Sequence, residues 1–179
     1  MKATGIIRRI DNLGRIVLPK ETRKSLKIKE GDMLEIYVQD SGAIMLEKYE
    51  PMDNLSKIAD DYTEVLSTVT GLAVCITNYN YIVSISGASK KDYYKKELSQ
   101  EVLTILDNRS IWNTKNKQAI NIIKGDDKNK YKTQVIVPII DNGDIIGGVI
   151  AFSTEPQRLL TELEIRLIQT VAILLNKQL

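Results

Sequence analysis

Histidine is absent from the 179 residues, and cysteine occurs once, at Cys75. An intrachain disulfide is therefore impossible, and a zinc site of the usual Cys/His kind cannot be assembled. Histidine general bases and histidine-centred triads are excluded with them. Carboxylate, lysine or tyrosine chemistry remains open, but no carboxylate pair stands in a recognisable motif. The chain is read as a non-enzyme with no cofactor and no metal. No apolar run approaches the ~18–20 residues of a membrane span. Residues 1–5 lack the apolar centre of a secretory signal. The expectation is a cytoplasmic protein with no membrane partner. Hydrophobic residues at 43% and charged residues at 27% exclude wholesale disorder.

The net charge of +2 conceals a polar distribution along the chain. Residues 1–29 hold nine Lys/Arg against two acids, whereas residues 30–50 hold one base, Lys48, against six acids. The remaining residues balance. A concentrated basic segment points to a polyanion partner. Charge alone does not separate that from a solvated surface laced with ion pairs.

Residues 1–50 read as short strands around one short helix. Residues 6–10 and 15–18 are β-branched and flank the turn Asp11-Asn12-Leu13-Gly14. Pro19 fits the first position of a helix running to about Leu26. Gly31-Asp32 is a turn. Leu34, Ile36 and Val38 alternate with polar neighbours, Ser41-Gly42 closes a hairpin, and Ile44 and Leu46 continue the alternation. So small a segment buries too little apolar area to stand alone, so a second copy is expected to complete it.

Glu50-Pro51-Met52-Asp53 marks a boundary, with Pro51 ending the last strand and Asp53 capping the next helix. Two domains follow, 1–50 and 51–179. In the second, apolar residues from Leu55 to Val69 recur at helical spacing up to Gly71. Residues 72–77 and 81–86 form a hairpin, residues 92–108 a helical stretch, and residues 119–123, 134–140 and 144–152 three strands. Asp141-Asn142-Gly143 turns between the last two. Thr161 and Glu164 have capping-box spacing before a terminal helix. That helix carries two apolar stripes. One is Leu163, Leu167, Val171 and Leu174. The other is Ile165, Ile168, Ala172 and Leu175. The second stripe is assigned to a partner, with Leu55, Ile58, Tyr62 and Leu66 of the opening helix as its mate. A single broad face buried within one chain is the alternative.

On the helix after Pro19, Lys20, Arg23, Lys24 and Lys27 fall at i, i+3, i+4 and i+7, on one face. Arg8, Arg9 and Arg15 lie on the two preceding strands, and Lys2 precedes them. Guanidinium forks gathered this way suit phosphates and guanine edges.

These residues carry a resemblance. Thr4-Gly5-Ile6-Ile7-Arg8-Arg9-Ile10-Asp11-Asn12-Leu13-Gly14-Arg15-Ile16-Val17-Leu18-Pro19-Lys20-Glu21-Thr22-Arg23-Lys24 resembles the signature of the AbrB transition-state regulators, and the match continues to about Tyr49. The resemblance implies a swapped-hairpin β-barrel in which two chains interleave into one unit that binds double-stranded DNA. It implies DNA-contacting roles for Arg8, Arg15 and Arg23. Lys24 stands where the family has a fourth arginine and keeps its charge without the fork. Arg9, Lys20 and Lys2 are further candidates on charge and place.

Val137-Pro138-Ile139-Ile140 and Gly143-Asp144-Ile145-Ile146-Gly147-Gly148-Val149-Ile150 resemble the closing hairpin of GAF domains. With Ser84 to Tyr93, they make the whole chain similar to AbrB-family sporulation regulators that carry a GAF-like domain. The resemblance implies an α+β regulatory domain, a tetramer built from two dimers through its helices, a nucleoid-associated regulator that activates and represses, and an unidentified small-molecule ligand. No residue of the sequence identifies that ligand. An AbrB-type antitoxin is the alternative function. Cys75 reads as a buried structural thiol, Gly147-Gly148 as close backbone packing, and Trp112 and Tyr131 as loop packing.

Overall fold

The computed structural model describes residues 5–26, 28, 30, 32–49, 56–115 and 117–178. Lys2, Lys27, Gly31, the boundary residues 50–53 and Leu55 lie outside them. The chain divides into two compact units, Met1–Tyr49 and Glu50–Leu179.

In the first unit, Pro19 opens helix α1 (Lys20–Ser25) with φ −57° and ψ 148°, and Leu26 closes it. Strands β1 (Leu34–Val38) and β2 (Ile44–Lys48) pair antiparallel, with Leu34 opposite Lys48 and Val38 opposite Ile44. Gly42, at φ 79°, makes the turn between them. The strands expected over residues 6–10 and 15–18 form no ladder among the described residues. The reason is physical: a strand needs a neighbouring edge, and none of the described residues supplies one. Ile7, Ile10, Leu13 and Val17 are exposed instead.

The second unit is an antiparallel sheet with helices on both faces. Its strands are β3 (Ala73–Asn78), β4 (Ile82–Ser86), β5 (Trp112–Asn113), β6 (Thr133–Asp141) and β7 (Asp144–Ser153), in the order β4-β3-β7-β6-β5. Asn142 and Gly143, at φ 47° and 92°, form the tight turn that the sequence marked between β6 and β7. The long pair β3–β7 closes at Gly147, where a Cβ would lie 1.9 Å from the Thr77 carbonyl oxygen. A Cβ on Gly148 would lie 2.8 Å from Leu106 Cδ2. Both glycines are there because backbone and core approach too closely for a side chain.

Helix α2 (Ser56–Thr70) turns Ala59, Thr63, Leu66 and Thr70 inward and ends at Gly71, φ 69°. The helix expected over residues 92–108 is two helices, α3 (Lys90–Tyr93) and α4 (Gln100–Asp107). Lys95 has φ 59°, which breaks the first, and Ser99 caps the second by accepting from the Val102 N–H at 3.1 Å. Residues 119–123 form no strand beyond a single bridge between Leu98 and Ile123. The fully buried Gln134 carboxamide bonds the Ile120 N–H at 2.9 Å and its carbonyl at 2.8 Å, taking the place of a ladder. Helix α5 (Glu162–Asn176) opens with the capping box of Thr161 and Glu164.

The space between the sheet and α4 is filled. Leu98, Val102, Leu106, Ile122, Ile136 and Ile150 pack there with Tyr93, Tyr131 and Phe152; the Phe152 ring lies 5.2 Å from that of Tyr93, tilted, and 5.2 Å from that of Tyr131, edge to face. Tyr131 belongs to this core, at 2% exposure, and Trp112 packs against it from β5.

Candidate nucleic-acid interface

Arg8, Arg9 and Arg15 lie on the unpaired segment before α1, and all three are exposed. Asp11 organises that segment. Its Oδ1 accepts from the N–H groups of Leu13 at 2.9 Å and Arg15 at 2.8 Å, and its Oδ2 accepts from Arg15 Nε at 2.8 Å. The Arg15 main-chain and side-chain donors hold the Asp11 carboxyl below its ordinary range. The Asx geometry follows from a short carboxylate two residues before a main-chain donor. It ties the Arg15 side chain to the turn, though 70% of that side chain faces solvent. The Arg8 Nη1 donates to its neighbour's carbonyl at 3.1 Å and is otherwise solvated.

On α1, Lys20 and Lys24 are exposed and Arg23 is half-buried. The Arg23 Nε is buried with no acceptor among the described residues. No side chain of this helix is fully buried. Six residues with no buried face do not hold a helix by themselves. Among the described residues, Arg15 pairs with Asp11 at 2.8 Å and Lys48 with Asp32 at 3.6 Å, and no ion pair to Arg8, Arg9, Lys20, Arg23 or Lys24 is found.

The helix stripes of the second unit are arranged opposite to the sequence reading. Ile165, Ile168, Ala172 and Leu175, assigned to a partner, are between 0% and 6% exposed and pack on the chain's own sheet. Leu66, offered as their mate, is 4% exposed, also on the sheet. Ile58 and Tyr62 are half-buried. The helical period gives two stripes and does not say which turns inward. The small residues do: Ala59 and Ala172, at 0% and 3% exposure, lie on the inward face of each helix, a signal present in the sequence. The outward stripes are Ile58, Tyr62, Val65 and Val69 on α2, and Leu163, Leu167, Val171 and Leu174 on α5. Val65, Val69 and Leu163 are exposed by 60%, 66% and 68%.

Sequence reasoning missed the clamp that joins these helices. Arg158 donates from Nη2 to the Thr70 carbonyl at the end of α2, at 2.9 Å, and to Glu164 at the start of α5. Burial opposes the charge on Glu164, but the Thr161 N–H and hydroxyl and the Arg158 guanidinium together keep its carboxyl below the ordinary range. Cys75 is fully buried in β3, and burial pushes its thiol far up, so it offers no nucleophile. No helix among the described residues is long and apolar enough to cross a membrane.

Known proteins match both units. The family described as Stage V sporulation protein T C-terminal, transcription factor, matches residues 54–179. The family described as Antidote-toxin recognition MazE, bacterial antitoxin, matches residues 7–53. Stage V sporulation protein T of Bacillus subtilis (strain 168) is 39% identical over 180 residues, covering 99% of this chain and 98% of that protein. The transition state regulatory protein AbrB of the same organism is 57% identical over 51 residues, which are 28% of this chain and 52% of that protein. The GAF domain from Acinetobacter phosphoenolpyruvate-protein phosphotransferase superposes with a TM-score of 0.57 at 14% identity, covering 69% of this chain and 80% of that one. That last likeness concerns the fold alone. The first unit is thus AbrB-like, and the second is a GAF-like α+β domain. The full-length match and the match over residues 54–179 together place the chain in the stage V sporulation protein T family.

Proposed function

We propose that the chain is a sequence-specific transcription regulator of sporulation, cytoplasmic and nucleoid-associated, that activates and represses by binding double-stranded DNA. One observation carries the reading. The unit that gathers Arg8, Arg15 and Arg23 leaves Ile7, Val17 and Val38 exposed by 87%, 72% and 76%. Ile6, Ile7, Ile10, Ile16, Val17 and Val38 are between 43% and 87% exposed, and burying what remains of them against a second copy is worth on the order of 6–12 kcal/mol per chain, at ~1.5–3 kcal/mol for a fully exposed side chain. Two chains together then offset an association cost on the order of 4–15 kcal/mol. The partner that completes the core is a second copy, interleaved as a swapped-hairpin barrel, and doubling the unit doubles its cations. Arg8, Arg15 and Arg23 make the principal contacts. Lys24 adds charge without a fork, and Arg9, Lys20 and Lys2 supply phosphate contacts.

Replacing Arg8, Arg15 or Arg23 by Ala should weaken operator binding by ~1–3 kcal/mol where the side chain reads a base. Where it holds a phosphate, the salt slope should fall by about one. Wild-type affinity in all three folded variants would refute the assignment. The match of residues 7–53 to an antitoxin family supports the second reading, an antitoxin that regulates its own promoter. Toxin binding by the full chain, with no operator binding, would favour it.

Two dimers associate into a tetramer through the outward stripes of α2 and α5. Both stripes are apolar, lie on packed neighbouring helices and are left uncovered. Avidity for two operator segments follows without new DNA contacts. Leu163→Glu with Val171→Glu should lower the mass in solution from tetramer to dimer. A wild-type dimer at micromolar concentration would refute the tetramer.

A further inference from the structure

A GAF-like domain that senses a small molecule needs a place for it, and the space between the sheet and α4 is taken by side chains. The opposite side of the sheet offers one. Where the last turns of α5 cross β6, a half-open cavity of about 240 Å³ lies beside the loop that follows α4. Ile111, Val137 and Ile173 form its apolar wall, and Arg109, Gln169 and Asn176 bring one guanidinium and two carboxamides to it.

Two features say what fits. The cavity holds a metabolite of a few heavy atoms and is smaller than the ~300–1,000 Å³ pockets that take larger ligands. Arg109 is the one charged residue on its wall and makes no ion pair among the described residues. One cation balances a single negative charge and leaves a di- or trianionic phosphate uncompensated.

The backbone at Arg109 is the second, independent observation. Asn108 caps α4, and Arg109 follows it at φ 53°, donating its N–H to the Leu106 carbonyl at 2.9 Å. That position after a helix end favours glycine, since a side chain is strained there. An arginine gives the turn no advantage. Arg109 lines the cavity, so the residue serves the site rather than the turn.

We propose that this cavity binds a small aliphatic monocarboxylate. The Arg109 guanidinium holds the carboxylate, the carboxamide N–H groups of Gln169 and Asn176 donate to it, and Ile111, Val137 and Ile173 flank the aliphatic body. Ile173 and Asn176 share helical turns with Val171 and Leu174 of the outward stripe. A bound carboxylate therefore stiffens the part of α5 that the tetramer uses, a consequence that rests on the tetramer reading, whereas the site does not.

The probe is 3-methylbutanoate, titrated into the full chain and read by ligand-observed saturation-transfer NMR, with acetate and 3-methylbutan-1-ol as controls. The expected dissociation constant is on the order of a millimolar or tighter. Acetate lacks the apolar body and the alcohol lacks the charge, so each should bind at least about tenfold more weakly. Arg109→Gly removes the guanidinium and relieves the strained backbone, so it should raise or keep the melting temperature while weakening 3-methylbutanoate about tenfold or more. Arg109→Gln provides the same loss of charge with the side-chain bulk retained. No binding by the wild-type chain, equal binding of the alcohol, or unchanged affinity in both variants would overturn the proposal. Because the readout is ligand binding, it fails or succeeds independently of operator affinity and of the mass in solution.

Discussion

Arg158 gives the sharpest test of how the second unit holds its two outer helices together. Its guanidinium bonds the Leu159 carbonyl at 2.6 Å, the Thr70 carbonyl at 2.9 Å and the Glu164 carboxylate. Arg158→Ala removes these donors and leaves the Thr70 carbonyl unpaired. Glu164 keeps the Thr161 N–H at 2.7 Å and hydroxyl at 2.8 Å. The Arg158 side chain is 25% exposed and that of Glu164 10%, so water reaches the vacated site only in part. Charge-assisted bonds of this kind are worth ~1.5–3 kcal/mol, and the partial exposure discounts their sum. The expected loss is about 2–3 kcal/mol, or roughly 8–12 °C in melting temperature for a unit of this size. In a double-mutant cycle with Glu164→Gln, the coupling should be about 1–2 kcal/mol. The pH dependence carries a sign. Glu164 titrates below its unfolded value in the folded chain. Its contribution is therefore present above ~pH 4.3 and is lost as pH falls through the folded value. The gap between wild type and Arg158→Ala should accordingly narrow in acid. Thermal denaturation followed by circular dichroism measures each quantity. A loss under about 0.5 kcal/mol, or a gap that widens in acid, would refute the clamp.

Three further outcomes are expected. Gly147→Ala places a methyl group 1.9 Å from a main-chain oxygen, so β3 and β7 must separate locally, at a cost of about 2–3 kcal/mol in urea unfolding. A change within 0.5 kcal/mol or so would show that the ladder end is slack. Asp11→Ala removes the acceptor for two main-chain N–H groups and the Arg15 side chain, so operator affinity should fall a few-fold even though the first unit becomes more basic. A rise in affinity would show that Asp11 merely competes with DNA for Arg15. Cys75 should react with a thiol-disulfide reagent only as fast as the second unit unfolds, because it is fully buried and its thiolate is disfavoured. Rapid labelling of the native chain would contradict that burial.

Much of the second unit was legible because its signals are local. Asn142-Gly143 supplies two residues that accept positive φ, and Thr161 with Glu164 supplies a reciprocal cap, so the turn and helix start appear where those residues stand. Alternation located β6 and β7 to within a residue at each end. The failures are of two kinds. Residues 92–108 have helical composition, but Lys95 takes φ 59° to reach the edge of β4, where its N–H bonds the Ile82 carbonyl at 2.9 Å. Residues 119–123 have strand composition, but a distant side chain, Gln134, answers their backbone. Tertiary demands override propensity in both, and neither leaves a mark in the local sequence.

The candidate interface divides along the same line. Cations on the α1 face follow from helical spacing, and Arg15 follows from the motif, but the Asp11 bracket depends on side-chain geometry. Where assembly is concerned, hydrophobic period and hydrophobic destination are separate quantities. On α5 both stripes are leucine- and isoleucine-rich, and burying either on the sheet would gain a similar apolar area. The decision falls to shape. Ala172 lets the helix backbone approach β6, and Glu164 must sit beside Arg158, which turns Ile165 and Ile168 inward and leaves Leu163, Leu167 and Val171 outside. The first unit presents the same separation in another form. Its strands over residues 6–10 and 15–18 have β composition and β-branched faces but no edge to pair with among the described residues. In both units the surplus apolar surface lies where a second copy of the chain would supply what one copy lacks, a strand edge in the first and a helix face in the second.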